Sequence, residues 1–308
     1  MPHPEVELAV REFVRADSGE SYRIVDNLGR GGNANVYLVK AHTGRHRGVL
    51  FALKLFREIA DANRLARFRM EAEFLRNCDH PAVMRVYDEG EIPIEGSDPF
   101  SSFPYMIVEY LPKTLAVAAR AGLITTEKLS CTLQLLSGLS YLRSLDPQAV
   151  HRDIKPQNIF LRGRACVLGD FGLMKLLDGG KSVDVKFLLE SVGNRLPRFY
   201  PTPDLVSYCR GESELTVQSD VFQLGLVLVV LFGGYNPVQE PRKPLDKVRL
   251  GSLEIQCGSQ SDTVKGILDR MLNFDPAQRP TADELLELWE GPFLEALDLS
   301  HRLEGRLF

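Results

Sequence analysis

The chain has 308 residues, 44% of them hydrophobic and 25% charged, enough for about two domains with a sizeable core. A formal net charge of -4 gives no electrostatic reason to expect nucleic acid or an anionic membrane surface as partner. The five cysteines, Cys78, Cys131, Cys166, Cys209 and Cys257, are odd in number, widely spaced and without a C-x-x-C pair. They read as buried thiols of a reducing compartment, not as a metal site or disulfide framework.

In chain order, MPHPEVELAV carries acidic residues where a secretory signal needs positive charge. Val6, Val10 and Val14 stand at i+4 steps, which predicts a short amphipathic helix. YRIVDNL, NVYLVKA and GVLFALKLF are short apolar runs separated by glycine-containing turns, and they predict an antiparallel sheet. One helix interrupts it, ADANRLARFRMEAEFLRNC, with Leu65, Phe68, Ala72 and Leu75 at helical spacing. Two further strands are expected in AVMRVYD and PYMIVEYL, with a loop at Gly96–Pro99 between them. After residue 112 the period changes. Leu129, Leu133, Leu136 and Leu139 predict a helix with Thr126 as its N-cap. SDVFQLGLVLVVLF is apolar all round and predicts a central helix, while TADELLELW opens on a capping-box pattern from Thr281 to Glu284. The longest apolar run holds about a dozen residues against the roughly 20 of a spanning helix, so a soluble cytoplasmic chain without a membrane span is expected. The halves divide near EYLPK, and a crevice between two domains is a preferred place for a ligand.

Four stretches carry possible chemistry. LGRGGNANV, residues 28–36, is either a phosphate-cradling turn of bare N–H donors or only a hairpin that recruited glycine. Lys54 stands alone among the apolar residues of FALKLF; it either snorkels to water or meets a partner. Glu71 lies one helical turn from Leu75, as that partner or as a solvated charge. In VHRDIKPQNIFLRGRACVLGDFG, spacing puts Asp153, Lys155 and Asn158 on one loop and Asp170 after a strand. Two oxygen ligands from separate segments suit Mg²⁺, and a further carboxylate away from the metal suits proton acceptance from a hydroxyl.

The ordered set GRGGNANV, FALK, Glu71, HRDIKPQN, DFG, SDVFQLG and DPAQRP resembles the eukaryotic-type protein kinase family over roughly residues 22–290. The resemblance implies an α+β, bilobal fold. Residues 1–21 would be an extension, 22–111 an N-lobe of antiparallel sheet with one helix, 112–290 a mainly helical C-lobe and 291–308 a helical tail. It implies ATP and Mg²⁺ as cofactors and protein substrates with Ser/Thr acceptors, the Ser/Thr direction following from Lys155. Gly29 and Gly31 would cover the phosphates, with Leu28, Val36, Ala52 and Phe160 around the adenine. Lys54 would hold the α- and β-phosphates and be held by Glu71. Glu109 and Leu111 would form the hinge, with Val108 guarding the back pocket. Asp153 would orient the acceptor hydroxyl, Lys155 neutralise the transferred phosphoryl, and Asn158 and Asp170 bind Mg²⁺. His151 and Phe171 would stack with Leu75, and Asp220 would anchor the catalytic loop.

The chain departs from the family pattern at three points. Ala34 replaces the third loop glycine and Asn33 stands at the tip. Asp204 replaces a glutamate, with Arg279 as its expected partner. The hydroxyls after DFG are Ser182, Ser191, Tyr200 and Thr202, and Arg152 with Lys175 is expected to form a basic pocket for a phosphate on Ser182 or Ser191. A kinase-like nucleotide-binding scaffold and a small-molecule phosphotransferase are the other readings. Retention of Lys54, Glu71, Asp153, Asn158 and Asp170 speaks against the first, and SDVFQLG with DPAQRP against the second.

Overall fold

Alternation of apolar residues builds the first half of the chain. In the computed structural model, which describes residues 6–31, 34–94, 102–177, 200–241 and 245–304, six antiparallel strands form one sheet. They are β1 (Phe13–Arg15), β2 (Ser21–Arg30), β3 (Ala34–Ala41), β4 (Leu50–Phe56), β5 (Val86–Pro93) and β6 (Ser102–Glu109), in the order β1-β2-β3-β4-β6-β5. One face buries Tyr22, Ile24, Tyr37, Val39, Phe51, Leu53, Leu55, Tyr105 and Ile107. The period of two sends the intervening residues to the other face, where α1 (Ala62–Asn77) packs Phe68 and Ala72 against Phe56 and Met106. Helix α1 starts where the Asp61 carboxylate accepts the N–H groups of Asn63 and Arg64, both at 3.1 Å. It buries Phe68, Glu71, Ala72 and Leu75, an i, i+3, i+4, i+7 stripe.

The segment expected as an N-terminal helix forms none: residues 6–12 are irregular with a turn at Val10–Arg11, and Phe13–Arg15 is strand. Val14 is buried in β1, paired with Tyr22, whereas Val10 is exposed. The free edge of β2 offers this segment a ladder of hydrogen bonds that three valines at i+4 steps do not outweigh.

The chain divides into two compact units, Met1–Asp79 with Val83–Pro112, and His80–Ala82 with Lys113–Phe308. The second unit is mainly helical: α2 (Leu115–Ala121), α3 (Thr125–Ser144), α4 (Pro203–Cys209), α5 (Gln218–Gly233), α6 (Ser261–Met271) and α7 (Ala282–Glu304). It also holds two small antiparallel pairs, β8 (Ile159–Arg162) with β9 (Ala165–Leu168), and β7 (Ala149–Val150) with β10 (Lys175–Leu176). Helix α3 begins at Thr125, so Thr126 is not its N-cap; the Glu127 carboxylate instead accepts the Ile124 N–H at 3.2 Å and fixes the start earlier. Its buried stripe runs through Leu129, Thr132, Leu135, Leu136, Leu139 and Leu142, leaving Leu133 half-buried. Gly138 lets α3 approach β9 closely, since a Cβ there would sit 3.3 Å from both Ala82 Cβ and Leu168 Cδ1. The capping box of α7 is complete, with Glu284 accepting the Thr281 N–H (2.7 Å) and donating its own to Thr281 Oγ1 (3.3 Å). Helix α7 runs on through Pro292, so residues 291–304 extend it and form no separate element. No helix among the described residues is long and apolar enough to cross a membrane.

Candidate functional site

The strand register of the first unit gathers most residues singled out there. Val36 lies opposite Lys54, and Lys54 opposite Met106; one step along, Leu38 lies opposite Ala52 and Ala52 opposite Val108. Directly paired residues share a face, so Val36, Ala52, Lys54 and Val108 stand together on the face away from the main core. Leu38 and Met106 stand there too and were missed, although the same alternation predicts them. Lys54 Nζ donates to both Glu71 carboxylate oxygens, at 2.9 and 3.0 Å, while Glu71 itself is 3% exposed. The buried stripe of α1 aims that glutamate at the sheet, and a bidentate ammonium partner makes its burial tolerable.

Glycine is required at position 29, where φ is +135°, next to a bulge that contains the exposed Leu28. The Gly29 N–H is held by Asn27 Oδ1 at 2.9 Å, and Gly31 N–H closes the turn on the Ala34 carbonyl at 2.8 Å. Ala34 is buried and paired with Phe56. Asn33 lies outside the described residues, as does the loop at Gly96–Pro99. Glu109 ends β6 and pairs back to residue 85, its N–H on the Arg85 carbonyl and its carboxylate on the Arg85 N–H; Leu111 lies just beyond.

The second unit gathers the remaining set on the loop after β7. Asp153 Oδ2 accepts from Lys155 Nζ at 2.6 Å and from Asn158 Nδ2 at 2.8 Å; the other proton of that amide goes to the Asp153 carbonyl at 2.9 Å. Asn158 in turn receives the Gly169 N–H on its backbone carbonyl, which ties the loop to the residue before Asp170. Phe160 is half-buried on β8, opposite Val167 and bridged to Thr114. Asp170 is exposed and has φ +58°; Arg152 has φ +67°. Left-handed backbone at two non-glycine residues costs about 1 kcal/mol or more each, and it persists only where the surroundings dictate it. Asp220 supplies part of that constraint. Its Oδ2 and Oδ1 accept the N–H groups of His151 (2.6 Å) and Arg152 (2.9 Å), donors that would cost about 1–3 kcal/mol each if left buried and unpaired.

Burial sets the protonation states. It pushes Asp153 up from the ordinary carboxylate range; the Lys155 charge and hydrogen bond pull it back, and the Asp170 charge adds to the rise. Burial lowers His151 to about 4, so the ring is neutral. One tautomer serves both of its contacts, Nε2–H towards the Gly169 carbonyl (3.1 Å) and Nδ1 accepting the Asp153 N–H (3.3 Å). The ring packs on Phe171 with centroids 4.4 Å apart. Asp220 is pushed up to about 7 by burial, against the two N–H donors and the Arg152 charge.

Arg152 is wholly buried, donating from Nε to the Leu173 carbonyl and from Nη2 to that of Met174 (3.1 Å), while Lys175 Nζ stands 5.9 Å from the Tyr208 ring centroid. The expected basic pocket finds no support in these contacts. Ser182 and Ser191 lie outside the described residues. Of the other two hydroxyls, Tyr200 is buried with its phenol pushed up to about 12, and Thr202 is fully buried as the N-cap of α4. Asp204 does meet Arg279, Oδ1 lying 2.9 Å from Nη2.

A sheet unit with a glycine turn and a lysine–glutamate pair, and a helical unit with the Asp153–Asn158 loop beside Asp170, are the two parts of a protein kinase domain. The family model for the protein kinase domain matches residues 22–289, and the chain belongs to that family. It is 29% identical over 268 residues to mitogen-activated protein kinase kinase 7 of Arabidopsis thaliana, covering 84% of this chain and 81% of that protein. It is 30% identical to the probable serine/threonine-protein kinase PknB of Lactococcus lactis, over 71% of this chain and 32% of that one. With a carbon catabolite-derepressing protein kinase of Candida albicans it shares 27% identity over 86% of this chain and 40% of the relative. The chain thus spans most of the first relative but well under half of the other two, and these similarities put it on the serine/threonine side of the family.

Proposed function

We propose that the chain transfers the γ-phosphoryl group of ATP, with Mg²⁺, to serine and threonine hydroxyls of protein substrates. The observation that carries this reading is how Asp153 is held. Oδ2 takes both side-chain hydrogen bonds, from Lys155 and Asn158, and Oδ1 has none among the described residues, so Oδ1 is the atom left to receive an acceptor hydroxyl. Burial raises its basicity, which favours accepting that proton. Lys155 would release part of its hold on Asp153 to neutralise the incoming phosphoryl oxygens. Phosphoryl transfer demands little covalent help and much positioning, and a clamped loop provides that.

The donor set fits Mg²⁺. Both protons of the Asn158 amide are spent on Asp153, which leaves its Oδ1 as a ligand, and Asp170 offers an exposed carboxylate. Two hard oxygens with phosphate and water completing the shell are what this ion takes. Among the described residues no cluster of three His, Cys, Asp or Glu forms a ready-made cage, and none is needed. When bound, Mg²⁺ would neutralise phosphate charge. Lys54, steadied by Glu71, would grip the α- and β-phosphates under Gly29 and Gly31. Leu28, Val36, Ala52, Val108 and Phe160 would supply apolar surface to the adenine, and the backbone of Glu109 and Leu111 its hydrogen bonds. The serine/threonine direction is supported by Lys155 and by the name of the Lactococcus lactis relative. Five free cysteines fit a reducing, cytoplasmic setting.

Purified chain with labelled ATP, Mg²⁺ and generic acceptor proteins tests this, followed by phosphoamino-acid analysis and beside an Asp153→Asn control. Label on serine and threonine is expected, reduced by about 10²–10⁴-fold in the control. Equal labelling by the variant, or label on tyrosine alone, would reject the reading.

A further inference from the structure

Helix α5 is apolar along almost its whole length, yet Gln223 in its middle is 0% exposed. Both protons of its amide and the oxygen are engaged. Oε1 accepts the Ile154 N–H at 2.9 Å, and Nε2 donates to the carbonyls of Arg152 (2.9 Å) and Tyr200 (3.0 Å). The first two contacts bracket Asp153 by the peptide groups on either side of it, and the third reaches the segment that leads into α4. Asp220, one turn earlier on the same helix, holds the N–H groups of His151 and Arg152. A buried amide with both donors and its oxygen engaged fixes geometry, because any displacement leaves a buried donor or acceptor unpaired.

We propose that Gln223 is a positioning residue that ties the backbone flanking Asp153 to the segment beginning at Tyr200, so that loop and segment hold one alignment. The inference rests on the reading that Asp153 orients the acceptor hydroxyl. A serine or alanine at this position would satisfy the helix equally well but could not span both carbonyls. The length and the two donors of glutamine are what the three contacts require.

The test compares Gln223→Met, which keeps the length and removes every hydrogen bond, with Gln223→Glu, which keeps the acceptor and loses both donors. Met should lower kcat by about 100-fold while KM for ATP stays within about twofold, since a small misplacement of a reacting group costs that much and the nucleotide contacts lie elsewhere. Amide exchange should rise together in residues 151–154 and in Tyr200 and Thr202. For Glu, the kcat ratio to wild type should recover as pH falls, because a protonated carboxyl again donates to one carbonyl; a role confined to stability would move the unfolding temperature and leave that ratio flat. Wild-type kcat in the Met variant well below its unfolding temperature, or exchange rising in only one of the two segments, overturns the proposal. If Met does not fold, the pH profile of Glu decides. If wild type itself transfers no phosphate, the kinase reading fails and the paired exchange decides the tie by itself.

Discussion

One methylene separates Asp204 from the glutamate usual at its place, and the structure shows what is lost. Arg279 is 3% exposed and oriented by carbonyls, its Nε on Asn273 (2.7 Å) and its Nη1 on Gln218 (2.7 Å), with the guanidinium 4.8 Å from the Phe222 ring centroid. Asp204 comes within 2.9 Å of Nη2, yet neither of its buried oxygens makes an aligned hydrogen bond among the described residues. The pair is therefore a charge contact without the fork geometry that gives arginine–carboxylate pairs their strength. Asp204→Glu is expected to reach that geometry and add about 1 kcal/mol to stability, whereas Asp204→Ala should cost about 3 kcal/mol by leaving Arg279 buried without its counter-charge. Urea unfolding of the three proteins measures both. A glutamate variant weaker than wild type would mean that packing, not reach, limits the pair.

The loop after β7 and the helix α5 beneath it hold two groups that respond to acid in opposite senses. His151 binds its proton less tightly folded (about 4) than unfolded, so its contribution is whole above its ordinary value of 6.5 and is lost as pH falls towards 4, a loss of about 3 kcal/mol. Asp220 binds its proton more tightly folded (about 7), so its contribution is whole below the ordinary 3.8 and is lost as pH rises to 7. Between about pH 4 and 6.5 the two offset, and stability should vary little there. His151→Asn keeps an acceptor for the Asp153 N–H and removes one of the two slopes. Its urea midpoint should then rise on acidification from pH 7 to 4.5 relative to wild type, and parallel curves would refute the assignment. These elements also show how far the residues alone can be read. Strands, α1 and the charged loop were legible because local pattern decides them: alternation, a helical stripe, charges stranded among apolar residues. The Val6–Val14 segment was not, since Val14 is taken up by pairing with Tyr22 across a short hairpin, which spacing at i+4 steps does not reveal. Thr126 was misread because a side chain two positions from the true start does the capping. Gln223 was not singled out, for its partners lie on a loop some 70 residues away.

At the scale of the whole chain, the kinase reading demands that one ligand be gripped by side chains of both units, Lys54 with Glu71 from the first and Asn158 with Asp170 from the second. Binding to the folded state alone stabilises it by RT ln(1 + [L]/Kd), about 2.7 kcal/mol at a hundredfold excess, which is several degrees in a chain of this size. A non-hydrolysable ATP analogue with Mg²⁺ should therefore raise the thermal transition, and if the units melt separately it should raise both. Lys54→Met and Asp170→Asn should each shrink that rise. The first would weaken the analogue at every Mg²⁺ concentration, because the lost ammonium serves the phosphates directly; the second would remove the Mg²⁺-dependent part, because the lost carboxylate serves the ion. Lys54→Met should itself remain folded at a moderate cost, since Lys54 is partly solvated and Glu71 can take up a proton once its partner is gone. A shift confined to one unit, or one that survives either substitution undiminished, would mean that the two sets of residues do not act on the same nucleotide.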